Sequence, residues 1–144
     1  MLKPQPEGIP VPVPSLISQP YWDACNRGEL MFQRCTICGA AVFNPAPLCR
    51  RCTSHDLAWV ASNGTGSVYS WSTIWRPQTP AFVVPYVAAI IDIDEGYQMV
   101  GNIVGCEPEE IVGGMRVGVE FHPIGSGISL PYFHPLVRAE TSAG

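Results

Sequence analysis

Cys35-Thr36-Ile37-Cys38, ten intervening residues, then Cys49-Arg50-Arg51-Cys52: this stretch decides how the chain is built. Two Cys-x-x-Cys knuckles can present four thiolates to one tetrahedral metal ion. Such a site is structural, because a hydrolytic zinc keeps one position open for water and usually includes His or a carboxylate. No His falls inside either knuckle. Gly39 suits a positive-φ turn that lets backbone N–H groups point at a thiolate sulfur. Paired disulfides would need an oxidising compartment, and residues 1–15 lack the basic-then-apolar shape of a signal peptide. A redox Cys-x-x-Cys would sit in a βαβ context, which the pattern lacks. Iron accepts the same four thiolates, so structural Zn²⁺ on Cys35, Cys38, Cys49 and Cys52 is the expectation, with iron left open. Cys25 and Cys106 lie outside the pattern and read as buried apolar fillers.

A ribbon of roughly thirty residues cannot bury enough apolar surface alone, and metal binding supplies the missing folding free energy. The rest of the 144 residues must carry its own core. Hydrophobic content of 47% is enough for one, while 14% charge leaves little to cover a surface, so part of that surface is expected to be sequestered by a partner. No apolar run approaches the ~20 residues that cross a membrane. A soluble, cytoplasmic protein with no membrane partner is expected.

Residues 1–17 carry Pro4, Pro6, Pro10, Pro12 and Pro14 and read as an extended arm, mobile or lying along a partner. Residues 18–28 read as one short helix with Ser18 as N-cap, Pro20 in the first turn, Gly28 at the C-cap, and Tyr21, Trp22 and Cys25 as its apolar stripe. It packs on the ribbon or projects toward another subunit. Residues 30–34 form a strand into the first knuckle, and 57–61 form another.

Residues 67–76 alternate with period two, placing Tyr69, Trp71, Thr73 and Trp75 on one face and Val68, Ser70, Ser72 and Ile74 on the other. Residues 86–93 and 97–104 form a hairpin around Asp94-Glu95-Gly96. A short acidic helix starts at Pro108 and stops at Gly113-Gly114, and strands follow at 115–122 and 129–137. Three strands, a helix and two strands is the order of a five-stranded Greek-key OB barrel. The expected organisation is mainly β: arm 1–17, helix and zinc ribbon 18–62, barrel 63–138 and tail 139–144.

These residues carry a family resemblance over roughly 20–137. Tyr21-Trp22, the phrase Gln33-Arg34-Cys35-Thr36-Ile37-Cys38-Gly39, and Phe43-Asn44-Pro45 before the second knuckle resemble the DUF35 proteins. So do Gly64-Thr65-Gly66-Ser67-Val68-Tyr69-Ser70-Trp71-Ser72, Pro85-Tyr86-Val87, Asp92-Ile93-Asp94-Glu95-Gly96, Gly114-Met115-Arg116-Val117 and Phe133-His134-Pro135. Asn63 and His134 depart from the family pattern, and His134 stands where many members carry Arg. The resemblance implies a rubredoxin-like zinc ribbon before an OB barrel. It also implies a non-catalytic partner of a thiolase-superfamily enzyme, such as a thiolase or a steroid side-chain aldolase. That partner would share the acyl-CoA, whose channel the small protein borders. Thiolases are commonly dimeric, so a hetero-oligomer of two plus two follows from the resemblance.

No nucleophile–base pair in one motif, phosphate loop or paired carboxylates is visible, so no catalytic residue is assigned. Arg34, Arg50, Arg51 and Arg76 are candidate contacts to CoA phosphates, against the reading of ordinary solvated arginines. Tyr21, Trp22, Trp71 and Trp75 are candidate partner contacts, against core packing. His55, His122 and His134 look scattered. The alternative function is a free-standing module binding acyl-CoA or single-stranded nucleic acid. A net charge of −4 argues against the second.

Overall fold

A computed structural model describes residues 1–136; the end of the last expected strand and the tail at 139–144 lie outside them. A helix α1 (Gln19–Asn26) leads into strands β1 (Met31–Cys35), β2 (Ala41–Val42) and β3 (Leu57–Ala61), which form one antiparallel sheet in the order β2-β1-β3. Then come β4 (Thr65–Ile74), β5 (Tyr86–Ile93), β6 (Tyr97–Ile103), β7 (Arg116–Pro123) and β8 (Ser129–Pro135). They close a barrel in the order β4-β5-β6-β8-β7, with β6 and β8 parallel and every other pair antiparallel. That is the OB topology. No helix among the described residues is long and apolar enough to cross a membrane.

The expected acidic helix is a single 3-10 turn, Pro108–Glu110. Ile111 is already extended, and the turn closes with a capping box between Glu107 and Glu110. Ser18 makes no side-chain cap on α1; its hydroxyl pairs with Ser15 instead.

The ribbon and barrel share one core. Val87, Ile91, Val117 and Phe133 are fully buried inside the barrel, and Phe32 and Leu30 of the ribbon join the same cluster. Tyr97 at the start of β6 is the joint: Phe43 stacks on it at 4.8 Å and Phe32 tilts against it at 4.9 Å. Helix α1 lies on this seam with Tyr21, Ala24 and Cys25 buried, so it faces inward and does not project. Barrel closure is tight enough that a Cβ on Gly101 would sit 2.8 Å from the Phe133 ring.

The hairpin turn after β5 clamps the pieces. Asp94 takes a bidentate pair from Arg116 at 2.8 and 2.6 Å and a hydrogen bond from the Thr65 hydroxyl. Glu95 accepts from the Ser62 hydroxyl and the Asn63 N–H in the linker, and its carbonyl accepts from Arg34.

Two expectations are corrected. The proline-rich arm is laid on the barrel rather than free. Leu2 exchanges backbone hydrogen bonds with Gly105 and Cys106, and Leu2, Gln5 and Ile9 are each 5% exposed. Gln5 reads the backbone of Val83, donating to its carbonyl at 3.0 Å and accepting from its N–H at 2.8 Å. The face pattern of β4 also differs. Val68 pairs with Ile91 and Ser70 with Ile90, so Tyr69 is an extra, bulged residue. Beyond it, Trp71 and Thr73 pair with Ala89 and Val87, which puts them on the face that Val68 shares.

Removing the Gln5 amide strands two Val83 backbone groups. Gln5→Ala should cost about 1–3 kcal/mol in urea unfolding and speed amide exchange across residues 79–85. Asp94 is held down to about 2, first by Arg116 and then by Thr65, against a usual 3.8. Its stabilisation is therefore present above pH ~4 and lost as pH falls toward 2. The pair is half-exposed, so this is worth under about 1 kcal/mol. Asp94→Asn should flatten that acid limb of the stability–pH profile.

Candidate metal centre and surface sites

Each knuckle is a tight turn at one end of the ribbon sheet. Cys35 ends β1, and Gly39, at φ 80°, returns its N–H to the Cys35 carbonyl at 2.9 Å. In the second knuckle Thr53 takes the matching left-handed conformation at φ 63°, returning its N–H to Cys49 at 2.8 Å. Both turns aim backbone N–H groups at sulfur: Cys38 N–H at Cys35 Sγ, 3.5 Å, and Arg51 N–H at Cys49 Sγ, 3.3 Å.

All four sulfurs lie within 4.8 Å of one another. Cys35 and Cys52 are 3.5 Å apart, and Cys38 and Cys49 are 3.6 Å apart. A Zn–S bond of ~2.3 Å implies tetrahedral S···S edges of about 3.8 Å, so the set fits the ion, whereas a disulfide needs ~2.05 Å. The Cys38 N–H above all, with help from Ile37, pulls the Cys35 thiol down to about 6. The Cys52 and Arg51 N–H groups lower Cys49 likewise. Ser54 N–H favours the Cys52 thiolate too, but burial and the three neighbouring thiols outweigh it and push Cys52 up to about 12. Four sulfurs this close need a cation before all can be thiolates. Zinc held by Cys35, Cys38, Cys49 and Cys52 supplies that charge and fixes the fold of the ribbon; with four protein ligands it leaves no position for substrate.

The four candidate arginines are divided. Arg34 is committed to structure: it donates to the Gly39 carbonyl at 2.8 Å and lies 5.0 Å over the Phe32 ring. Arg50 and Arg51 line one cavity of about 330 Å³ between ribbon and barrel. Asn44, Tyr97 and Gln98, which were not among the candidate contacts read from the sequence, complete its polar and aromatic wall. Arg76 lies beyond the far end of β4, away from this seam.

The aromatic candidates divide as well. Tyr21 is 7% exposed and packs edge-on against Trp22 and Phe43. Trp22 packs partly against Ile9, Ile124 and Ile128, so both rings belong largely to the chain's own core. Trp71 and Trp75 stay 40% and 63% exposed, joined by Tyr69 at 63%. Two of the three histidines are not scattered. His134 Nδ1 lies 2.8 Å from Glu120 Oε1, and His122 Nε2 meets the other Glu120 oxygen. Glu120 and His122 are two apart on β7, and His134 joins them only through the β7–β8 register.

A structural zinc ribbon fused to a closed OB barrel is the class these features define. Residues 22–58 match the family model "ChsH2, rubredoxin-like zinc ribbon domain", and residues 59–122 match "ChsH2, C-terminal OB-fold domain". A "DUF35 domain-containing scaffold protein" of Methanocaldococcus jannaschii is 34% identical over 69% of this chain and 72% of its own length. The chain belongs to the DUF35 family.

A solved "Ltp2-ChsH2(DUF35) aldolase" chain superimposes with a TM-score of 0.81 and 35% identity, covering 88% of this chain and 100% of that one. A "Probable enoyl-CoA hydratase alpha subunit" of Thermomonospora curvata is 37% identical over 85% of this chain. This chain spans only 38% of that relative's length.

Cys35→Ser or Cys52→Ser should reduce bound zinc from one equivalent to well below one, as read by metal analysis. Amide protection should then be lost first at β2 and the second knuckle, because the metal carries the ribbon's folding free energy.

Proposed function

We propose that this chain is the non-catalytic accessory subunit of a thiolase-fold aldolase or thiolase acting on an acyl-CoA. It stabilises that complex and borders the acyl-CoA channel. The match to an Ltp2–ChsH2(DUF35) aldolase chain, over 88% of this chain and 100% of that one, carries the reading. The chain's own chemistry supports it: the metal set is closed by four thiolates, and the polar groups of the seam cavity are binding groups without a nucleophile–base pair. Steroid side-chain acyl-CoAs are the substrate class that the family resemblance favours. Arg50 and Arg51, with Asn44 and Gln98, are the groups proposed to meet CoA phosphates at the ribbon–barrel seam, since paired guanidinium groups suit phosphate.

Co-expression with the Ltp2-type subunit of the same host tests the reading. Expected are a stable co-eluting complex and acyl-CoA cleavage that neither chain shows alone. A chain that elutes by itself beside an active enzyme would sink it. Within an active complex, Arg50→Ala with Arg51→Ala should raise KM for acyl-CoA by roughly tenfold with kcat little changed, the signature of lost phosphate binding.

A further inference from the structure

β4 is longer than the strand that pairs with it on one side. It is hydrogen-bonded to β5 along nearly its whole length, from Gly66 to Ile74, but to β7 only at Thr65, Gly66 and Ser67. Val68 makes the last bonds on that side, to Met115 and Gly114. Beyond it, no backbone bond to that edge is formed among the described residues, while the opposite edge continues in register from Ser70↔Ile90 to Ile74↔Tyr86. An ordered strand edge of about six residues is left with its N–H and C=O groups facing outward, about the length of an ordinary strand.

Natural proteins guard such edges with lysine, proline or inward charges. Here residues 69–75 read Tyr-Ser-Trp-Ser-Thr-Ile-Trp, with neither a charge nor a proline. Tyr69, Trp71 and Trp75 flank the edge at 63%, 40% and 63% exposure, and Val112, 57% exposed, precedes Gly113, where an added Cβ would come within 3.9 Å of the Trp71 ring. Other open edges are different: Trp59 and Val60 of β3 pack onto the core, and along residues 97–101 of β6, which pairs with β8 only from Asn102, Tyr97 and Met99 are buried.

Backbone groups in a row are complementary to one thing, another extended backbone. We infer that the edge of β4 at residues 69–74 receives a β-strand of the enzyme subunit, extending the barrel sheet across the interface with the three aromatics clasping it. This rests on the accessory-subunit reading and specifies how that subunit is held. A second copy of this chain is the weaker occupant on area. Aromatic side chains bury about 150–250 Å² each when fully covered, so the three rings have on the order of 300 Å² left to give. A symmetric pair would gain about 600 Å² from them, roughly half of what a stable interface buries. A larger, different partner can cover the edge and continue over Val112.

Amide exchange of the full zinc-loaded chain, alone and in the complex with the Ltp2-type subunit, tests this. Alternate amides of residues 70–75, those turned away from β5, should exchange freely in the chain alone and slow at least 100-fold in the complex. Ser72→Lys, an exposed change that restores a natural edge guard, should weaken the complex at least tenfold while zinc content and free-chain exchange stay the same. If the complex forms with those amides still free, strand addition is wrong and the accessory reading stands. If no complex forms, both fall. Protection already present in the chain alone also overturns the inference: concentration dependence would identify a second copy, and its loss in a chain ending at Leu136 would identify residues 137–144.

Discussion

Tyr97 is the residue on which the two halves of this molecule meet, and burial of aromatic surface there governs the rest. A small ribbon held by four cysteines has almost no core of its own: its metal cluster is packed by little more than Val42, Leu57 and a few small residues. Its large side chains, Phe32 and Phe43, are placed by the metal-held turns so that they lie on Tyr97 and enter the barrel's core. Zinc and hydrophobic burial therefore do different jobs. The metal fixes where two phenyl rings point, and stacking with Tyr97 turns that orientation into cohesion between ribbon and barrel. The clamp of Asp94 and Glu95 sits two or three residues before Tyr97 in the same hairpin, so polar and apolar ties converge on one turn.

How much of this could be read from the sequence follows the range of the interactions. The metal ligands were legible because each pair sits within one turn of chain and the chemistry of four thiolates admits few readings. The barrel was legible because period-two runs, turn residues and element order are local signals. What stayed hidden depends on register or on distant contacts. One bulged residue, Tyr69, moves Trp71 and Thr73 to the opposite face from that given by unbroken alternation. The Glu120–His122–His134 contacts exist only because β7 and β8 pair with Gly118 opposite His134. The arm's anchoring through Gln5 joins residues 78 apart, and no local pattern distinguishes such a proline-rich strap from a free tail.

The low charge of the chain takes on meaning once side chains are placed. Several of its few cations are internal ties: Arg34 joins the ribbon turn to the barrel hairpin, and Arg116 holds Asp94. Among the described residues Arg50 and Arg51 have no such tie at the seam cavity, which is why they carry the phosphate-binding proposal better than Arg34 does. Likewise, of the four aromatic residues first considered for docking, the two in α1 are largely used by the chain itself. The two beyond the β4 bulge keep substantial exposure.

The interior of the barrel argues for where any ligand must lie. A Cβ on Gly101 would clash with the Phe133 ring, and Val87, Ile91, Val117 and Phe133 are fully buried, so among the described residues the barrel interior is filled by the chain's own side chains. One end is plugged by the aromatics around Tyr97, the other by Leu2 with Cys106 and Ile111. Binding surface is therefore confined to the outside, at seams such as the one beneath Arg50 and Arg51. A seam of this kind is open on one side, and a flexible acyl-CoA held on an open wall keeps much of its hydration. Closing that wall takes a second surface. A filled chain with a four-thiolate ribbon and an uncharged strand edge suits the proposed role, in which the other side of the channel and the chemistry come from a partner.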